Sequence, residues 1–443
     1  MSGFEIESHI IDKRGNISYD GYKLYKKILK KFPDLTIEIE KECGKSMIEL
    51  GCFPDINMYN PAINILETLK KINDYIKSKG YRLFPFATYP GKMKARFTPD
   101  KSGKYKIQEK IFGPKQFEYA TKVVGFHYHY TLPKNVFDED SKSLKFLKVS
   151  KLKRSMMNSY NFEIAIDPIF TVLTQSSPFF DCKNIAKDTR KLIYRGGKKL
   201  NYKGLYDKYQ SLGRLPPYKQ TLTDLLSSMK RRKARWEKLV KSADPKAKFD
   251  TMYPYGLDIS WNPVKINKHG TLEYRGMSMN YLSIVFGLSA LLKFCLRKIQ
   301  REFIEVIPDD DISSSFSLEN GILRIPAHTY VRNQLQKTSA YDGLANEELY
   351  EYVVKFYKFA KEITPKKYYP LLKRIEGIID KRKTVSDEIL DYAFRNKLMD
   401  RDRQISEKDA NKIALYLADK FEADMQKTEK IIRAIMESHK NTN

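Results

Sequence analysis

The chain has 443 residues and carries 81 Lys and Arg against 54 Asp and Glu, a formal net charge of +27. Its mean hydropathy of −0.55 predicts a soluble globular protein with room for two or three domain-sized units, and the longest apolar run, residues 281–292, is too short to span a bilayer. The four cysteines (Cys43, Cys52, Cys182 and Cys295) form no C-x-x-C pair, which argues against a zinc knuckle or a disulfide framework.

The first fifteen residues carry charges at once and no apolar signal core, so no secretory leader and a cytoplasmic location are expected. Residues 3–11 alternate as a strand, with Glu5 and Glu7 on one face and Phe4, Ile6 and Ser8 on the other. Two carboxylates on one strand face repel each other unless a cation sits between them. The alternatives are a solvent-facing edge strand and a divalent-metal site made of oxygen ligands. Residues 20–32 predict an amphipathic helix with a basic face, 36–40 a second strand, and 46–50 a third, with Glu49 between Ile48 and Leu50. Apolar residues at helical spacing, Pro61 near the start and Gly80 at the end predict a helix over 60–79. Residues 81–88 predict a strand that runs into a Pro90-Gly91 turn, and 92–110 a basic loop. Residues 123–133 are β-branched and aromatic, a strand stopped by Pro133. Gly125, His127 and His129 share one of its faces. They form either a metal, phosphate or proton site or simply two half-buried histidines.

Residues 150–176 predict an apolar helix, followed by a turn-rich loop that carries Arg190, Arg195 and paired glycines. Arg190 is either solvated or grips a carboxylate or phosphate. Residues 198–248 are the most basic region, with KRRKAR at 230–235 inside a helix, which reads mainly as a solvated face. A hairpin turning at 267–270 leads into a strand with Thr271, Glu273 and Arg275 on one face, either a cross-strand salt bridge or part of an ion-lined surface. An apolar helix over 278–303 backs the sheet. Beyond Asp309, Asp310 and Asp311 comes a Ser-rich turn, and residues 341–443 read as helix after helix.

If these strands share an antiparallel sheet, Glu5, Glu7, Glu49, His127, His129, Glu273 and Arg275 line one concave surface. Carboxylates with histidine and no cysteine suit Mg²⁺, with Mn²⁺ as the alternative, rather than zinc. Carboxylate-held Mg²⁺ serves nucleotide phosphates, and arginines on the same face neutralise charge in phosphoryl transfer. The sequence has neither a GxxxxGK[ST] loop nor a Rossmann glycine fingerprint, so a nucleotide must sit on the sheet.

Five segments then line up in order: Phe4-Glu5-Ile6-Glu7, Ser46-Met47-Ile48-Glu49-Leu50, Gly125-Phe126-His127-Tyr128-His129, Ser176-Ser177-Pro178 with Arg190, and Gly270-Thr271-Leu272-Glu273-Tyr274-Arg275. Across residues 3–345 this series resembles the glutamate–cysteine ligase type 2 family. The resemblance implies an α+β fold: a curved antiparallel sheet backed by helices, glutamine-synthetase-like, over residues 1–340. Residues 341–443 are an additional all-helical region.

The implied activity is that of an ATP-dependent carboxylate–amine ligase. ATP phosphorylates a carboxylate, taken to be the γ-carboxylate of L-glutamate, and an amine displaces phosphate. The resemblance implies that Glu5, Glu7, Glu49, His127 and Glu273 hold Mg²⁺, with Glu49, His127, Glu273 and Arg275 nearest the chemistry. His129, Arg190, Arg275 and Arg332 would meet the nucleotide or substrate. Residues 92–122 and 198–248 depart from the family pattern, so the amine stays open, cysteine being the family's best known. The expected partners are glutamate, an amine and ATP, with no membrane; a homo-oligomer is left open. Two other readings remain: a phosphotransferase of the guanidino kinase type on the same sheet, and a basic nucleic-acid-binding protein in which KRRKAR matters.

Overall fold

The first strand organises the molecule. In chain order the main sheet takes β1 (Ser2–Asp12), β2 (Glu38–Lys41), β3 (Met47–Asp55), β4 (Tyr81–Phe84), β5 (Gly125–Thr131) and the hairpin β6 (Val264–Asn267) and β7 (Thr271–Ser278). The strand order is β6-β7-β5-β1-β3-β2, with β4 also pairing β1, and every pairing is antiparallel. The computed structural model describes residues 1–145 and 150–440, so the last three residues of the expected helical region lie outside the described residues.

The apolar face of the sheet explains its helical backing. Phe4, Ile6, Phe126, Tyr128, Leu272 and Tyr274 are fully buried. They pack against α4 (Lys151–Leu173) and α7 (Leu282–Arg301); α1 (Gly21–Lys31), α2 (Tyr59–Lys77) and α3 (Lys104–Phe112) precede α4 in the chain, and α5 (Thr189–Arg195) and α6 (Leu222–Ala243) lie between α4 and α7. The Phe286 ring of α7 lies 5.2 Å from Phe4, and Phe170 of α4 meets Tyr274 edge-on at 5.4 Å. Burying each such side chain contributes about 1.5–3 kcal/mol, so the period-2 apolar pattern dictates which sheet face is closed. The polar face is left for chemistry.

Past α7 the chain forms a three-stranded sheet of β8 (Glu305–Asp309), β9 (Leu318–Glu319) and β10 (Ile322–Pro326). It then forms α8 (Glu347–Ile363), α9 (Tyr369–Lys381), α10 (Val385–Arg395) and α11 (Glu407–Lys440). The long α11 returns to the N-terminal region: Glu422 pairs with Arg82 at 2.8 Å, and Asn411 accepts from the Tyr89 hydroxyl at 2.5 Å. No helix among the described residues is long and apolar enough to cross a membrane.

Some expectations needed revision. The 92–110 loop contains the start of α3, because Ile107, Ile111 and Phe112 bury one face among the lysines. Arg190 lies on a short helix rather than in a loop: the Asp188 carboxylate accepts from the Lys191 amide at 2.9 Å and caps α5. The second strand begins at Glu38, and the strand expected over 81–88 ends at Phe84. The β8–β10 sheet was not anticipated.

Candidate active site

Register builds the site. Along β1, Glu7 is opposite Glu49 of β3, which is itself opposite Glu40 of β2; Glu5 is opposite His127 of β5; and Glu273 of β7 is opposite His129. Strand alternation brings these polar side chains to one face, and antiparallel pairing sets them in rows across five strands. Three donor groups follow: Glu5, His129 and Glu273; Glu5, Glu49 and His127; and Glu7, Glu42 and Glu49, each with ligand atoms within 4.8 Å of one another.

On the β7–β5 side the charges are matched. Glu273 is fully buried; its Oε1 accepts from Arg275 at 2.5 Å, its Oε2 accepts from Asn267 at 2.5 Å, and Lys265 lies 3.4 Å away. Burial pushes its carboxyl up, but Lys265, Arg275 and His129 outweigh burial and hold it well below the usual range. Glu5 behaves likewise: burial opposes ionisation, yet His129 at 3.0 Å and His127 at 2.6 Å keep it well below its ordinary value. His129 is buried, which lowers its pKa, but Glu5 reverses the shift and raises it. Its Nδ1 bonds Thr271 at 2.9 Å.

On the β1–β3 side they are not. Glu7 is pushed up to about 8 by burial and then by the charge of Glu42, although the Gly125 amide donates to its Oε2 at 2.5 Å. Glu49 is raised well above the usual range by burial and by Glu42, Glu5 and Glu7. His127 sits between the halves. Burial, and then Arg275, lowers it to about 4, so it is neutral at pH 7. Since Glu5 is ionised, His127 Nδ1 donates to it, leaving the Nε2 lone pair free, 3.5 Å from Glu7 Oε1.

A cavity of about 210 Å³ opens over this face, lined by Glu7, Glu42, His127, Arg190 and Arg275 among others. The Nε groups of Arg190 and Arg275 are buried there without a partner among the described residues. Arg190 is held from beneath. The next residue, Lys191, pairs with Asp167 of α4, which also accepts from Gln336 at 2.7 Å and from the Tyr274 hydroxyl at 3.1 Å. The absence of a side chain at Gly125 gives Arg190 its place: a Cβ there would lie 2.2 Å from Nη2.

The structure thus brings together Glu5, Glu7, Glu49, His127, His129, Glu273, Arg275 and Arg190. It does not bring Arg332, which lies on a π-type turn (Val331–Leu335) outside this cavity, where burial and then the charge of Arg214 lower its pKa. Sequence reasoning missed Glu42, Lys265 and the Lys191–Asp167 pair. Lys265 was within reach, since it faces Glu273 across the hairpin whose turn was recognised; Glu42 follows the last residue of β2 and has no period to mark it.

Oxygen donors that repel one another when buried fit a divalent cation, and guanidinium groups with a buried, unpartnered Nε among the described residues fit an anion. The comparisons agree: the profile of glutamate–cysteine ligase family 2 matches residues 1–248, and the chain belongs to that family of ligases. It is similar in fold to a glutamate–cysteine ligase from Francisella tularensis solved in complex with AMP (TM-score 0.59, 12% identity, 99% of this chain and 93% of that one). It is also similar to a bifunctional glutathione synthetase from Pasteurella multocida (TM-score 0.56, 12% identity, 96% of this chain), of which it spans 52%. No curated protein sequence matches the chain.

Proposed function

We propose that the protein is an ATP-dependent carboxylate–amine ligase that joins the γ-carboxylate of L-glutamate to an amine through an acyl phosphate, releasing ADP and phosphate. One observation carries the reading. A single cavity holds the carboxylates Glu7 and Glu42 together with Arg190 and Arg275, each with a buried Nε that lacks a partner among the described residues. Carboxylates alone would repel ATP and glutamate, and arginines alone would not hold a cation; the pair of features suits a reaction between two anions.

In this reading Glu7, Glu42, Glu49 and Glu5 hold Mg²⁺, and His127, hydrogen-bonded to Glu5, stands beside the metal. The bound metal supplies charge neutralisation between nucleotide phosphates and the substrate carboxylate. Arg190 and Arg275 orient the anionic groups and offset charge that builds on the phosphoryl oxygens. Glu273, ionised and locked between Lys265 and Arg275, fixes the direction of the Arg275 guanidinium. The attacking amine must lose a proton, and His127, which lines the cavity with its Nε2 lone pair free, accepts it in this reading. The family resemblance supports glutamate as the acid; the amine is chosen by cavity residues outside the matched motifs.

The test is phosphate release from Mg-ATP with L-glutamate, with and without a panel of amines that includes cysteine. Release that requires glutamate and one amine is expected and names the second substrate. Transfer of phosphoryl to a stable product without free phosphate would replace the ligase by a phosphotransferase.

A further inference from the structure

Behind the wall of the catalytic cavity lies a second one, of about 410 Å³, a volume within the range of small-ligand sites. Arg214, Lys219, Arg231, Arg232 and Arg235 line it, with Tyr160 beneath. Three of the five come from the KRRKAR run of α6, which is therefore more than a solvated face. None of the five pairs with a carboxylate among the described residues. They are held instead by neutral oxygens: Lys219 Nζ donates to Ser228 Oγ at 2.6 Å, Arg232 to Ser260 Oγ at 2.8 Å and to Asn262, and Arg235 to Ser211 Oγ at 3.2 Å. Asp224, whose charge acts on Lys219, is engaged in capping α6 through Thr221. Burial, and then the charge of Arg232, lowers the Lys219 pKa and outweighs the opposing charge of Asp224.

We propose that this cavity binds a small phosphate-bearing anion at a site separate from the catalytic face. Guanidinium groups grip phosphate oxygens in paired hydrogen bonds, and their aliphatic stems with Pro216, Pro217 and Tyr160 supply a floor for the organic part of such a ligand. The two cavities are back to back: Trp261 lines the catalytic one and Asn262 the basic one. Arg195 donates to the carbonyls of Trp261 and, at 3.3 Å, of Arg275, so the dividing wall is tied to the catalytic strand.

The protein's two tryptophans report on the site, since Trp236 neighbours Arg235 and Trp261 neighbours Asn262. The experiment titrates inorganic pyrophosphate into the full chain in EDTA, which suppresses metal-dependent binding at the carboxylate face, and reads tryptophan fluorescence and heat. Saturable 1:1 binding is expected, weakened at least about tenfold in the exposed double variant Arg231→Gln/Arg235→Gln and unchanged in Arg275→Gln. Arg235→Lys, which keeps the charge, should retain part of the affinity, and a thermal melt confirms that each variant is folded. The proposal is overturned if pyrophosphate shows no saturable binding, or if Arg275→Gln abolishes binding while the double variant retains it. Binding of a single-stranded oligonucleotide with steep salt dependence, in the absence of pyrophosphate binding, would also overturn it and assign the surface to nucleic acid.

Discussion

On the β7–β5 side of the polar face, Glu273 and Glu5 are enclosed by Lys265, Arg275, His127 and His129. On the β1–β3 side, Glu49 and Glu42 face other acids, and Arg190 and Arg275 do not offset what burial and Glu42 do to Glu7. The same residue type, on one sheet and at similar depth, is held ionised in one half and driven towards the neutral acid in the other. Burial is common to both, so the difference comes from neighbours. The first half carries its own counterions and acts as a rigid support for Arg275. The second lacks one, and in the proposed function a cation from outside supplies it.

Identical substitutions should therefore act alike on activity and oppositely on the fold. Glu7→Gln and Glu273→Gln are each expected to cut phosphate release by about 10²–10³-fold or more, one by weakening metal binding and the other by releasing Arg275. In metal-free urea melts Glu273→Gln should cost about 3–5 kcal/mol, because it leaves Arg275 and Lys265 buried without their partner. Glu7→Gln should instead stabilise by about 3–4 kcal/mol at pH 7. Its folded pKa of about 8 lies above the unfolded value, so ionisation on unfolding favours the unfolded chain as pH rises from about 4 to 8. Below that window the gain should vanish. Equal destabilisation by both variants would remove the distinction between the halves.

Gly125→Ala sharpens the comparison from a third position. It removes no functional group, yet its Cβ would meet Arg190 Nη2 at 2.2 Å. Turnover should fall by about 10²-fold, since displacement of a binding group by about 1 Å suffices for that. Mg²⁺ at about 100 times its Kd should stabilise the wild type by about 2.7 kcal/mol, read as a rise in Tm. Glu49→Gln should lose most of this rise, whereas Phe4→Ala, which damages the other sheet face, should lower Tm but keep the Mg²⁺ increment.

The face of the site was legible because strand alternation is a local property: β1 alone separates Glu5 and Glu7 from Phe4 and Ile6, and β5 alone separates His127 and His129 from Tyr128. Register was not, since Glu5 meets His127 across more than a hundred residues of intervening chain. The family resemblance, rather than periodicity, linked the strands in advance. Arg190 was recognised as an anion-binding candidate, but its seven-residue helix is too short to show a helical period, and only the Asp188 cap marks it. The β8–β10 strands are five, two and five residues long, and Pro308, Pro326 and the Asp-rich turn mask their alternation. The basic run of α6 read as a solvated face because its cavity is completed by residues 211–219 and Asn262, distant in sequence.

The smallest expected effect lies beneath the sheet. Glu163 of α4 is fully buried, and neither carboxyl oxygen has a hydrogen-bond partner among the described residues. Burial, with the charge of Glu273 adding to it, raises its pKa well above the ordinary value. The folded protein therefore keeps this proton at pH values where the unfolded chain releases it. Stability from this group is intact below the unfolded pKa near 4 and falls by about 1.4 kcal/mol per pH unit as pH rises towards the folded value. Glu163→Gln, which has no proton to lose, should flatten that part of the stability profile while leaving phosphate release within about twofold of wild type. Denaturant melts between pH 5 and pH 8 read the slope directly. An unchanged slope would mean that Glu163 finds a partner in solution and that the apolar side of the sheet, unlike its polar face, holds no uncompensated acid.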